Sequence, residues 1–245
     1  MGKPFLKNIK ILLSYGYDFI FPPLCFVCEK RNDQAFPLCK NCLSQLIASS
    51  EVTVHKNQSD FYHLADTLFF DQVITLWPYI KIIESLIHQM KYNDRKKLGI
   101  FLGRIAGKLL HQPLKITGRE VIIPVPLHKT RYRERGYNQS TLLARGLSQY
   151  IQLSIYEDTL FRIKPTKSQT TLSAEQRCSN LKNAFAVLHP EKIHHKKVFL
   201  VDDVSTTGAT FNSCSFTLQQ AGAGEIIGLA LARPEFEEKK TKDKG

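Results

Sequence analysis

The apolar positions of this chain form two kinds of run. Continuous, β-branched-rich stretches at Val121-Ile122-Ile123-Pro124-Val125-Pro126, Val198-Phe199-Leu200-Val201 and Glu225 to Ala232 read as strands of a buried parallel sheet. Periodic stretches at Ile82, Ile83, Leu86, Ile87 and Met90, and at Leu98 to Leu110, predict amphipathic helices. Gln112-Pro113 stops the second of these. Further helices are expected over Ser140 to Tyr150 and Phe211 to Ala221. Leu68-Phe69-Phe70 and Val73 to Trp77, separated by Asp71-Gln72, predict an antiparallel hairpin at a sheet edge, ended by Pro78. Residues 51 to 65 are polar and show no pattern, and Phe185 to Leu188 is a short apolar return. Strands alternating with helices give an α/β domain, placed at 51–234.

Local chemistry gathers at the end of one strand. Val201 is followed by Asp202 and Asp203, then by Ser205-Thr206-Thr207-Gly208-Ala209-Thr210, which leads into a helix. Backbone N–H groups and hydroxyls at the positive end of a helix dipole suit a phosphate, and Gly208 lets the backbone approach an anion without a Cβ. The acids precede the loop and no Lys follows the glycine, so this is not a Walker A loop. A sugar phosphate fits, its hydroxyls on Asp202 or Asp203.

A second signature is metal-like. Cys25-Phe-Val-Cys28 and Cys39-Lys-Asn-Cys42 are two CxxC pairs ten residues apart, the spacing of a tetrahedral four-thiolate zinc site. A closed thiolate shell leaves no position for substrate, so the metal is expected to be structural and to staple a module at 20–50. Cys178 and Cys214 have no such partner and read as packing residues.

Charge narrows the partners. The 245 residues carry 34 Lys and Arg against 22 Asp and Glu, a formal net charge of +12, which favours phosphate-rich ligands. Part of the excess lies in the tail 235–245, which reads as disordered. No apolar run reaches membrane-spanning length. Phe5, Ile9, Leu12 and Leu13 predict an amphipathic helix within 1–19, packed on the protein or lying on a membrane surface. The expectation is a cytoplasmic protein, with a peripheral membrane position as the variant.

After the proline-ended strand comes the most charged loop, with Lys129, Arg131, Arg133 and Arg135 and then Tyr137, Asn138 and Gln139. Beside a phosphate site it is placed to grip pyrophosphate or a nucleic-acid backbone, and Tyr132 or Tyr137 offers a stacking surface for bases. Residues 159–181 form a polar stretch with Arg162, Thr166, Gln169, Arg177 and Asn180, read as a mobile loop. His88, His111 and the pair His194-His195 lack ligand-spaced partners and read as structural or solvated.

Together, the four-cysteine knuckle, the PVPLHKTRYRERGYNQ block at 124–139, the Thr166/Gln169/Arg177/Asn180 stretch and VDDVSTTGAT at 201–210 resemble the ComF family, competence protein ComFC and GntX-like proteins of the type I phosphoribosyltransferase superfamily. The resemblance runs from about Pro22 to Arg233. It implies a type I phosphoribosyltransferase fold with a zinc-binding N-terminal module, binding phosphoribosyl pyrophosphate (PRPP) with Mg2+. It also implies handling of single-stranded DNA during natural transformation, beside a helicase-like partner and the recombination mediator DprA. Asp202 and Asp203 would then hold ribose hydroxyls and metal, and Ser205 to Thr210 the 5′-phosphate. The alternative is a metabolic phosphoribosyltransferase acting on an unidentified base or nucleotide.

Overall fold

In the computed structural model of this chain, residues 23–32, 36–61, 64, 67–91, 95–163 and 184–234 are described. The N-terminal amphipathic helix, the tail, Cys178 and the loop residues Thr166, Gln169, Arg177 and Asn180 lie outside them. The chain divides into two compact units, Met1–Ala48 and Ser49–Gly245.

In the first unit, a tight turn at Cys25 to Lys30 closes with Cys25 N–H donating to the Lys30 carbonyl at 2.9 Å. Leu24 bridges Arg31, and Asn32 Nδ2 donates to the Phe36 carbonyl at 2.7 Å. Helix α1 (Lys40–Ala48) follows and buries Cys42 and Leu46. So small an apolar set needs a crosslink to hold it.

The second unit is built on a six-stranded sheet. Its strands are β1 (Thr53–His55), β2 (Gln72–Pro78), β3 (Val121–Pro124), β4 (Ser154–Ile155), β7 (Val198–Val204) and β8 (Ile226–Arg233), in the order β1-β2-β8-β7-β3-β4. All neighbours are parallel except β1 with β2. A separate antiparallel pair, β5 (Leu160–Arg162) and β6 (Phe185–Val187), lies apart from it. The helices are α2 (Lys81–Lys91), α3 (Lys96–Leu110), α4 (Lys129–Arg135), α5 (Gln139–Ile151) and α6 (Ala209–Gln220). The β-branched central strands are covered on both faces, as their unbroken apolar character requires.

The expected hairpin does not form. Segment 67–70 is held by the side chain of Asn212, whose Oδ1 accepts from Phe69 N–H at 2.7 Å and whose Nδ2 donates to the Thr67 carbonyl. Asp71 caps the start of β8, accepting from Ile226 N–H at 2.7 Å. The antiparallel edge partner of β2 is instead β1, drawn from the stretch that shows no pattern, in the register Val54 opposite Ile74. Three residues are too few to display an alternation.

Two features of this fold position the site. The chain leaves β3 for β4 on one side of the sheet and leaves β7 for β8 on the other. The carboxyl ends of β3 and β7 therefore flank a topological switch point, where the outgoing loops part and open a crevice. Secondly, α3 and α5 touch backbone to backbone. A Cβ on Gly103 would lie 2.2 Å from the Leu143 carbonyl oxygen, and one on Gly146 would lie 2.1 Å from that of Ile100. That approach fixes α5, whose first turn borders the crevice.

Candidate functional site

A cleft of about 400 Å³ fills the switch point. One wall is the loop Ser205–Gly208 between β7 and α6. Gly208 is the N-cap of α6 with φ +79°, and a Cβ there would meet the Phe61 ring at 2.6 Å. Both observations require glycine, the first by backbone conformation and the second by space. Thr207 Oγ1 accepts from Ala209 N–H at 3.3 Å. Ser205 is buried, its N–H donating to the Ala232 carbonyl, yet its Oγ has no hydrogen-bond partner among the described residues. A buried hydroxyl without a partner costs about 1–3 kcal/mol, which a ligand oxygen would recover.

The floor holds the acids. Asp202 Oδ1 accepts from Ser140 Oγ at 2.8 Å and from Asp203 N–H at 2.9 Å. Burial, and then the charge of Asp203, push the Asp202 carboxyl up to about 7; the Ser140 hydroxyl, the Asp203 N–H and Lys91 pull the other way. Asp203 Oδ2 pairs with Lys91 Nζ at 2.9 Å. Burial would lower the Lys91 ammonium, but the charge and hydrogen bond of Asp203, aided by Asp202, raise it on balance.

The opposite wall is the basic segment, and here the expected loop is a helix. Residues Lys129–Arg135 form α4, capped by His128, whose Nδ1 accepts from Thr130 N–H, and closed by Gly136 at φ +73°. Helical spacing sorts the cations. Arg131 and Arg135, four apart, share the face lining the cleft, whereas Lys129 and Arg133 are exposed and do not line it. Asn138 is also outside the cleft lining. It caps α5, accepting from Ser140 N–H at 3.1 Å and donating to the Val125 carbonyl at 2.9 Å. Gln139 lines the cleft, is buried, and its Nε2 has no hydrogen-bond partner among the described residues.

Tyr137 is not available for stacking. It is buried, and its hydroxyl donates to the Met90 carbonyl at 2.9 Å, while Tyr132 is exposed. Among the residues expected at the site, the structure therefore brings Asp202, Asp203, Ser205 to Thr210, Arg131, Arg135 and Gln139 to one cleft.

Lys91, Ser140 and Tyr79 join them although nothing in their local pattern marks them, and Arg162, expected in the polar stretch 159–181, lines the cleft from the end of a strand. Lys91 follows the last apolar residue of an amphipathic helix, a position that ordinarily faces water. Arg162 ends β5 with its guanidinium 5.6 Å from the Phe185 ring centroid; burial pulls its pKa down from the ordinary value, as does Arg131, against Cys214 and Asp202. Among the described residues, four cations thus line one cleft with two acids at its floor.

In the first unit, the sulfurs of Cys25, Cys28, Cys39 and Cys42 all lie within 4.8 Å of one another, with Cys28 and Cys39 at 3.8 Å. Tetrahedral Zn–S bonds of about 2.3 Å place sulfurs about 3.8 Å apart, so the set fits a zinc ion. Burial raises the Cys25 thiol, but the N–H donors of Cys28, Cys39 and Val27 outweigh it and bring it down to about 6. One of these, Cys39 N–H, reaches the Cys25 sulfur at 3.4 Å.

A parallel sheet with its crevice at the switch point, a strand ending in paired acids and a glycine-bent hydroxyl loop make this an α/β domain with the type I phosphoribosyltransferase fold. The module before it matches the double zinc ribbon domain over residues 16–52, and its four thiols form a structural zinc site. Competence protein F of Haemophilus influenzae is 33% identical over 222 residues, spanning 86% of this chain and 90% of that one. The chain belongs to the ComF family. DNA utilization protein YhgH of Escherichia coli K12 is 29% identical over 213 residues, again 86% of this chain and 90% of the other. Part of the chain also overlays on a hypoxanthine phosphoribosyltransferase from Staphylococcus aureus, at 18% identity over 57% of this chain and 71% of that one, with a TM-score of 0.36. A likeness of that extent says nothing of chemistry. Among the described residues no helix is long and apolar enough to cross a membrane.

Proposed function

We propose that this ComF-family chain acts in DNA uptake and that its cleft binds PRPP. The observation that carries the reading is the meeting of four cations, two carboxylates and an unpartnered buried hydroxyl around one glycine-bent loop. The 5′-phosphate sits against Ser205 to Thr210, where the N–H groups opening α6 and the Ser205 hydroxyl donate to it. The ribose hydroxyls donate to Asp202 and Asp203. Arg131 and Arg135 receive the pyrophosphate, with Arg162 and Lys91 adding positive charge.

The carboxylate pair fits Mg2+, since Lys91 supplies one positive charge to two adjacent acids at the cleft floor and a divalent ion would supply the rest. When bound with PRPP, the ion would neutralise diphosphate charge. Displacement at ribose C1 expels pyrophosphate through a cationic sugar, so neutralising the leaving group matters more than a strong base. That is the chemistry Arg131 and Arg135 are suited to supply.

The test is PRPP titration by calorimetry with Mg2+, using wild type and Asp202→Asn/Asp203→Asn, with pyrophosphate release followed in the presence of bases, nucleotides or DNA. The expected result is a loss of PRPP affinity of at least tenfold in the variant. Equal affinity would remove the assignment of the cleft.

A further inference from the structure

At the opposite end of the strands from the cleft, where the parallel strands begin, lies a groove of about 690 Å³. It runs between the turn preceding β3, which carries Lys115 and Arg119, and the segment preceding β7, which carries Lys196 and Lys197. Lys197 to Asp203 spans six strand steps, so the groove is about 20 Å from the acid pair at ~3.3 Å per residue. The two sites can be filled at once.

The charges of the groove are arranged, not scattered. Glu120, the one carboxylate among its described lining residues, is buried and directed into its own turn, accepting from Thr117 N–H and Oγ and from Gly118 N–H at 2.9–3.1 Å. Those bonds hold the Glu120 carboxyl below its usual range against the opposing effect of burial, and they fix the turn that presents Lys115 and Arg119. Neither Lys115 nor Arg119 is paired with a described carboxylate. Across the groove, Lys196 Nζ bonds the Tyr156 hydroxyl at 2.9 Å and lies 5.1 Å from that ring's centroid. Its ammonium is therefore held at the phenol's rim, and the half-buried ring packs against the core of the sheet. Lys197 is tied to Glu225 at 2.9 Å.

The geometry points to this groove as the seat of a single-stranded nucleic acid, gripped by its phosphodiester backbone. Cations spread along two facing segments match charges that repeat along a strand, whereas a lone phosphate is met by donors converging on a point, as at the loop before α6. With Tyr156 packed against the core and its hydroxyl taken by Lys196, the described lining of the groove offers charge rather than a stacking platform, so binding is independent of sequence and falls steeply with salt. The inference rests on the reading that the chain handles DNA, and it separates that role in space from the PRPP cleft.

The test is fluorescence anisotropy of a labelled oligothymidylate of about 30 nucleotides, titrated with the full chain at several salt concentrations. Three proteins are compared: wild type, Lys115→Gln/Arg119→Gln/Lys196→Gln, and Lys129→Gln/Arg133→Gln on the outer face of α4. The groove variant is expected to lose at least tenfold in affinity. Its slope of log affinity against log salt should fall by about 2, from roughly 0.7 per phosphate contact over three cations. Its PRPP titration should match wild type.

The exposed pair alone, Lys115→Gln/Arg119→Gln, should give a proportionate part of the loss without disturbing Tyr156. Unchanged oligonucleotide affinity in the groove variants, or a loss confined to the α4 variant, would overturn the assignment. So would a wild-type protein that binds PRPP and no oligonucleotide. Oligonucleotide binding in a wild type that ignores PRPP would sink the cleft reading and leave the groove standing.

Discussion

Gly208 is where fold and ligand meet most tightly, and Gly208→Ala is the sharpest test of the loop. At φ +79° an alanine pays a left-handed penalty of about 1–2 kcal/mol. Its Cβ would also stand 2.6 Å from Phe61 Cδ1 and 2.9 Å from Cε1. The ring cannot withdraw: Phe61 is fully buried, edge-on to Phe70 at 4.9 Å, and under the Arg233 guanidinium at 4.4 Å. Overpacking of that kind costs about 1–3 kcal/mol, and the alanine's stiffer unfolded chain returns about 0.4–1 kcal/mol. The net is a loss of about 3 kcal/mol, which for a chain of this size lowers Tm by about 6–12 °C.

Thermal and urea unfolding of the apoprotein measures the loss, and PRPP calorimetry measures its effect on the loop, expected as at least a tenfold weakening. In the Phe61→Leu background the same substitution should cost only the left-handed penalty, about 1–2 kcal/mol, because the opposing ring is gone. A Gly208→Ala protein that melts within a degree or two of wild type and binds PRPP equally would refute the account of both strain and contact.

Two further outcomes follow from groups with displaced titrations or shared ligands. Asp202 has a folded-state pKa raised to about 7, so its contribution to stability is complete below its unfolded value of about 3.9 and is lost as pH climbs through 7. The apoprotein's urea midpoint should therefore decline between about pH 4 and pH 8 more steeply than that of Asp202→Asn; parallel profiles would argue against the burial of that acid. For the first unit, zinc should co-purify with the chain by elemental analysis, and Cys25→Ser or a strong chelator should release it. Circular dichroism should then show loss of α1, since the module has little apolar core of its own; a metal-free protein with α1 intact would contradict the structural role of the ion.

The legibility of this protein varied with how local each signal was. The apolar runs at 121–124, 198–201 and 226–232 announced their strands, because a parallel strand buried on both faces must be apolar throughout. The four cysteines and the acid–hydroxyl–glycine order at 202–210 were equally plain, since each motif is complete within fewer than twenty consecutive residues. By contrast β1 is three residues long, and the hairpin expected at 68–77 gave way to side-chain bonds from Asn212 and Asp71 to backbone distant in sequence.

Sequence by itself determined the class of fold, the zinc ligands and the strand-to-helix bend that suits a phosphate, because these depend on neighbouring residues acting through one backbone segment. Tertiary structure alone decided which cations serve that bend. It turned 129–135 into a helix, setting Arg131 and Arg135 inward and Lys129 and Arg133 outward, and it brought in Lys91 from α2 and Arg162 from β5. It also hid Tyr137 against Met90 and gathered the second basic groove at the amino ends of the strands. The physical reason is that charge acts through space, and only the sheet order fixes which distant positions share that space.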